Sequence, residues 1–216
     1  MNLNGSGQTN SGISGNINFA NRRCRHDPPA HLRARYRSLR QRLDGPSRSR
    51  KNRRINQRLE DLAVLKTRQR IAAYLASPEE AAIDAFIELA WQRQQSIFLP
   101  CIDSARGQMT FVQYHPDSSL KENRFGLLEP ADRTDIVQAS ELNCALVPLV
   151  AFDGLGNRLG MGGGYYDRFF AEPNGRPIMI GIAFNEQQTT TPLPYEQWDV
   201  PMDMVVTDLT TQQFTR

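Results

Sequence analysis

The sequence predicts an α/β protein built in three layers, α/β/α, with a mostly parallel or mixed central sheet and helices on both faces. Two near-continuous apolar runs, Cys144 to Phe152 and Pro177 to Phe184, have the length and composition of strands buried on both sides. Amphipathic helical stretches alternate with such runs, and that alternation builds a sheet with crossover helices. At 216 residues the chain can enclose one substantial core.

The elements follow in order. Met1 to Ala30 is rich in Asn, Gly and Ser and lacks hydrophobic periodicity, so residues 1–30 are expected to be disordered or loosely attached and residues 31–216 to form a single domain. From His31 to Leu43, Leu32, Tyr36, Leu39 and Leu43 recur with the period of an amphipathic helix, which Gly45-Pro46 ends. Ser47 is the expected cap of a second helix reaching to about Ala76, with Ile55, Leu59, Leu62, Leu65 or Lys66, and Gln69 along one face. Ala81 to Gln94 reads as a third helix with Ile83, Phe86, Ile87 and Ala90 inward. Ser96 to Cys101 is a short buried strand, and Met109 to Tyr114 alternates like a strand with one face in solvent. Asn123 to Pro130 reads as a loop and Met204 to Thr207 as the last strand.

Composition narrows the function. No apolar run approaches the roughly 20 residues of a membrane helix, and the N-terminus lacks the pattern of a secretory signal. Cys24, Cys101 and Cys144 are too few and too scattered for a disulfide framework or a zinc site, and they suit a reducing cytoplasm. His26, His31 and His115 are too few to build a histidine metal site. The net charge of +3 hides an asymmetry: residues 21–70 carry 17 Lys/Arg against 4 Asp/Glu, and residues 71–216 carry 9 against 19. A basic segment on an acidic body points to an anionic partner, either nucleic acid or the phosphates of a small ligand.

The chemistry concentrates between Arg158 and Asp167. Gly160, Gly162, Gly163 and Gly164 follow a buried strand, and Tyr165 to Phe170 can start a helix. Glycines let backbone N–H groups converge on an anion, and a helix start adds partial positive charge. The spacing matches neither common nucleotide loop. Asp167 is placed to hold Mg²⁺ against bound phosphates. Of Tyr165 and Tyr166, at least one should reach a cleft and stack on a heterocycle. A second cluster, Trp198-Asp199-Val200-Pro201-Met202-Asp203, precedes the last strand, where Asp203 offers a further carboxylate.

Leu149-Val-Ala-Phe-Asp153, Gly156 through Arg168, and Trp198-Asp-Val-Pro201 resemble the 5-formyltetrahydrofolate cyclo-ligase family, also called 5,10-methenyltetrahydrofolate synthetase. Leu32-Arg33 with Arg37 and Arg40, Tyr74-Leu75 followed by Glu80, and Asn123 through Pro130 extend the likeness over about residues 31–208. The resemblance implies an ATP- and Mg²⁺-dependent closure of 5-formyltetrahydrofolate, with or without a polyglutamate tail, to 5,10-methenyltetrahydrofolate. ADP and phosphate are the other products, and the formyl oxygen is phosphorylated on the way.

Residue by residue, the resemblance implies ATP contacts from Arg33, Arg37 and the stretch Arg158, Leu159, Gly160, Met161, Gly162, Gly163, Gly164, Tyr165 and Tyr166. It implies folate contacts from Leu75, Glu80, Met161 through Tyr165, and Trp198, and metal ligation by Asp167 and Asp203. Two departures stand out. The Ser-Pro-Glu-Glu sequence leaves the choice between Glu79 and Glu80 open, and Gly163 stands where relatives often carry a lysine or arginine. A cytoplasmic monomer without nucleic-acid or membrane partners is expected. The competing reading is a non-catalytic RNA-binding protein with the same domain, kept alive by the arginines between 33 and 58.

Overall fold

The computed structural model describes residues 1, 30–67, 70–103, 105–171 and 175–215. The expectation for the N-terminal extension lies outside the described residues, apart from Met1 and Ala30.

Helix α1 (Ala30–Gln41) runs into α2 (Gly45–Asp61) through a short turn, followed by α3 (Ala63–Thr67). Asp44, rather than Ser47, caps α2: its Oδ1 accepts the Ser47 N–H at 2.7 Å. The expected second helix does not reach Ala76. It ends at Asp61, and the chain enters strand β1 (Arg70–Ala72). Ile71-Ala-Ala has good helix formers, but β1 lies between two parallel partners and its burial there overrides propensity. Helix α4 (Asp84–Gln92) buries Phe86, Ile87 and Ala90 as expected.

The strands β2 (Ser96–Asp103) and β3 (Gln108–Tyr114) form a hairpin, and β6 (Ile136–Val137) pairs with β3. The expected loop at 123–130 is partly strand, because β4 (Leu120–Glu122) and β5 (Leu128–Pro130) pair around it. After β7 (Cys144–Pro148), β8 (Ala151–Phe152) and β9 (Arg158–Leu159) make a small second hairpin. Then come α5 (Tyr165–Phe170), β10 (Ile178–Ile182), β11 (Met204–Val206) and an unanticipated β12 (Thr211–Gln213).

Among the described residues, eight strands form one sheet in the order β12-β11-β10-β7-β1-β2-β3-β6. From β11 to β2 the neighbours run parallel, and β12, β3 and β6 add antiparallel edges. Alternate residues serve two cores. Ile71, Ile97, Leu146, Ile180 and Val206 pack with Ile55 and Leu59 of α2 and with Phe86 of α4. Ala72, Phe98, Val147, Met179 and Val205 pack with Phe152 and with Phe170 of α5. The sheet is thus covered on both faces.

From β1 the chain builds towards β2 on one side and, later, towards β7, β10 and β11 on the other. The two directions part between β1 and β7. In open parallel sheets, the crevice beyond the carboxyl ends of two such strands is where ligands settle.

Candidate active site

The chain leaving β7 is folded back by one buried carboxylate. Asp153 Oδ1 accepts the N–H groups of Leu155 and Asn157, and Oδ2 accepts from the Asn157 side chain and the Leu193 N–H. Gly156, at φ +83°, completes that turn, and its carbonyl accepts the Met202 N–H at 2.8 Å. A Cβ there would stand 2.8 Å from the Met202 oxygen, so only glycine lets the hairpin sit against residues 198–203. Leu159 is buried against Tyr36 and Leu193, so only its backbone is available to a ligand.

The glycine loop follows directly. Gly162 and Gly164 have φ of +97° and +61°, and Gly164 leads into α5. A Cβ on Gly163 would lie 2.9 Å from the Tyr165 ring, so this position admits no cation of its own. Met161 is exposed. Because α5 has only six residues, the expected helix-dipole contribution is small, and side chains must carry the charge. Arg33 of α1 does so from afar: its Nε donates to the Gly160 carbonyl at 2.9 Å, and its guanidinium lies against Gly162.

The segment after β1 forms the opposite wall and separates the two glutamates left open by the sequence. Glu79 accepts from Arg37, Arg40 and Gln41, which fastens it to α1. Arg40 is buried and also donates to the Leu149 carbonyl. Burial lowers its pKa, and the charges of Glu80 and Glu79 work against that. Glu80 accepts the Ser77 N–H and lies close enough to Tyr74 and Tyr166 to add to the rise that burial causes in both phenol pKa values. Leu75 is half-buried beside the first core. Tyr166 packs edge-on to Phe111, while Tyr165 carries the Arg168 guanidinium 5.0 Å from its ring centre.

The acidic residues fall into two groups. Asp167 Oδ1 accepts from Arg158 at 2.6 Å and from the Val200 N–H, and Arg158 also reaches the Val200 carbonyl. Asp199 belongs with them: burial raises its carboxyl pKa, and the charge of Asp167 raises it further. Asp203 is gripped by Arg176 through both oxygens (2.9 and 3.0 Å) and by the Met179 N–H. Trp198 is exposed and lines a pocket of about 590 Å³ with Arg176, Asp199 and Asp203. Neither Leu75, nor Glu80, nor any loop glycine borders that pocket.

The placement of Asp199 beside Asp167 and the clasp made by Glu79 were not read from the sequence. Asp199 is four residues before Asp203 in the same cluster, and only the turn at 196–200 tells them apart. Cys101 is buried, and that burial, with help from Glu129, pushes its thiol pKa to about 11, which disfavours the thiolate.

Comparisons with known proteins point to one family. The chain matches the 5-formyltetrahydrofolate cyclo-ligase family over residues 26–208. It is 33% identical over 174 residues to the 5-formyltetrahydrofolate cyclo-ligase of Haemophilus influenzae, spanning 79% of this chain and 92% of that protein. The Escherichia coli K12 protein of the same name is 37% identical over 140 residues, 63% of this chain and 76% of its own length. The solution structure of the Aquifex aeolicus 5,10-methenyltetrahydrofolate synthetase superposes with a TM-score of 0.75 at 26% identity, covering 86% of this chain and 92% of the other.

Proposed function

The chain belongs to the 5-formyltetrahydrofolate cyclo-ligase family, and from that premise we propose that the crevice beyond β1 and β7 closes 5-formyltetrahydrofolate to 5,10-methenyltetrahydrofolate with ATP. The observation that carries this reading is the meeting of three distant segments there: Arg33 of α1 on the glycine loop, Glu79 of the β1 segment on α1, and Glu80 beside Tyr166.

An amide oxygen is a poor leaving group until it is phosphorylated. The formyl oxygen attacks the γ-phosphorus, the bond to the bridging oxygen breaks, and ADP leaves with that electron pair. N-10 then adds to the activated carbon and loses its proton, and phosphate departs as the methenyl bridge forms. The protein's share is positioning and charge neutralisation. Arg33, Arg37 and the backbone from Arg158 to Tyr166 hold the phosphates. Glu80 accepts hydrogen bonds from the pterin, Leu75 lines its apolar wall, and Tyr165 offers an aromatic face, while Trp198, expected on the folate, stands instead at the pocket beside Arg176.

The residues present also fit Mg²⁺. Asp167 uses Oδ1 for both of its protein bonds, which leaves Oδ2 without a partner among the described residues. Asp199 feels the charge of Asp167, and a hard divalent cation relieves that repulsion through oxygen ligands. We therefore assign Asp167 and Asp199 to the metal in preference to Asp203, whose oxygens already hold Arg176 and Met179. Bound there, Mg²⁺ would neutralise phosphate charge.

We read the enzyme as a cytoplasmic monomer that takes folate with or without a polyglutamate tail and engages no nucleic acid. In support of the last point, Arg40 and Arg48 of the basic segment already have protein partners. No helix among the described residues is long and apolar enough to cross a membrane. The test is direct: purified protein with 5-formyltetrahydrofolate, ATP and Mg²⁺ should gain the near-ultraviolet absorbance of the methenyl product, and only with ATP present. Folded protein that gives no such gain would overturn the reading.

A further inference from the structure

The guanidinium groups around the glycine loop differ in one respect. Arg158 is paired with Asp167, Arg176 with Asp203, and Arg37 and Arg40 with Glu79. Arg168 has no carboxylate partner among the described residues. Its Nη2 donates to the Gly107 carbonyl at 3.0 Å, in the turn between β2 and β3. Its guanidinium also faces the Tyr165 ring, 5.0 Å from the centroid. A carbonyl and an aromatic face orient a guanidinium without neutralising it.

The position of that charge is specific. The Arg168 Nη1 atom stands 2.8 Å from where a Cβ on Gly164 would be, so the guanidinium lies beside the last glycine of the loop. Arg33 holds the first loop glycine, through the Gly160 carbonyl. Gly163, between them, is closed to any side chain by the Tyr165 ring. Arg168 is exposed, and with Nη2 on the Gly107 carbonyl its Nη1 and Nε have no protein partner among the described residues, so N–H donors remain for an anion.

We propose that Arg168 binds the triphosphate of ATP directly, as the cation at the α5 end of the glycine loop. The inference rests on the reading of this crevice as the ATP site. Its chemistry is that of a bidentate guanidinium on phosphate oxygens, with the Gly107 turn and the Tyr165 ring holding the fork in register.

Two variants test it by calorimetric titration with Mg²⁺-ATP and by steady-state kinetics. Arg168→Gln keeps a donor for the Gly107 carbonyl but loses the charge. It should weaken ATP binding and raise KM for ATP roughly tenfold to a hundredfold. KM for 5-formyltetrahydrofolate and the melting temperature should stay unchanged. Arg168→Lys should recover part of the loss as a point charge. Unchanged ATP affinity in Arg168→Gln would overturn the proposal. So would an equal weakening of both substrates with a lowered melting temperature, since Arg168 would then only clamp the Gly107 turn. Wild-type protein that binds no ATP would overturn the reading of the crevice, and this assignment with it.

Discussion

Arg33 and Gly160 are joined across 127 residues of chain: the guanidinium Nε of the first helix donates to the loop carbonyl at 2.9 Å. That bond places the positive charge of an α1 guanidinium on the loop itself. Arg33→Ala should lower kcat/KM for ATP about tenfold to a hundredfold, the range for a hydrogen bond to a charged group. Arg33→Lys should restore only part, because a lysine cannot serve a carbonyl and a phosphate with one fixed fork. Initial rates with ATP varied at saturating folate check both.

Glu79 and Glu80 should part company when mutated. Glu79→Ala leaves the buried Arg40 without its carboxylate, which should destabilise the fold by about 2–4 kcal/mol. Glu80→Ala should leave the melting temperature nearly unchanged and raise KM for the folate. Thermal melting beside substrate-varied kinetics separates the two.

Acid should act through the same clasp. The Glu79 carboxyl titrates below its ordinary value of 4.5, first through the hydrogen bond from Arg37, then through Gln41 and the nearby guanidinium charges, against the opposing effect of burial. A folded pKa below the unfolded one gives stability that is fully present above about pH 4.5 and is lost as pH falls through the folded value. Melting curves of wild type and Glu79→Gln should therefore differ at neutral pH and converge in acid.

Asp199 carries the opposite sign. Burial, with the charge of Asp167, raises its carboxyl pKa above the ordinary 3.8, so its ionised form opposes folding above the folded pKa, and that penalty is gone below 3.8. Asp199→Asn should raise the melting temperature at neutral pH without ligand and remove the Mg²⁺ dependence of ATP binding. Asp203→Asn should lower the melting temperature by loosening Arg176, with Mg²⁺ dependence intact. The reverse pattern would return the second metal ligand to Asp203.

Two glycines of the same region should respond differently. Gly156→Ala meets the Met202 carbonyl and the Phe214 ring within 2.9 Å at a positive φ and should cost about 2–3 kcal/mol or more. A Cβ on Gly160 meets nothing within 4 Å, so Gly160→Ala should fold normally. Any loss of activity in that variant reports on the phosphate.

The parts of the fold that were legible share a physical character. Strands β7 and β10 announce themselves by continuous apolar runs, and α1 and α4 by a 3.6-residue period, because those signals are local. Strand β1 is three residues long, and its partners lie on β2 and β7, so nothing within residues 70–72 marks it as the centre of the sheet. The candidate site divides the same way. The glycines and Asp167 stand out in sequence, whereas the surroundings of Asp199 and Asp203, the separation of Glu79 from Glu80, and the contacts of Arg168 depend on which chains fold past them.

The reach from Arg33 to Gly160 also bears on how the protein folds. We expect a closure this long to form late, after the non-local strand pairings between β1 and β7. A partly folded chain, even one with its helices in place, lacks the phosphate cradle. During refolding from denaturant, recovery of ATP binding should therefore lag behind recovery of helical circular dichroism, so that nucleotide capture marks the final docking of the first helix.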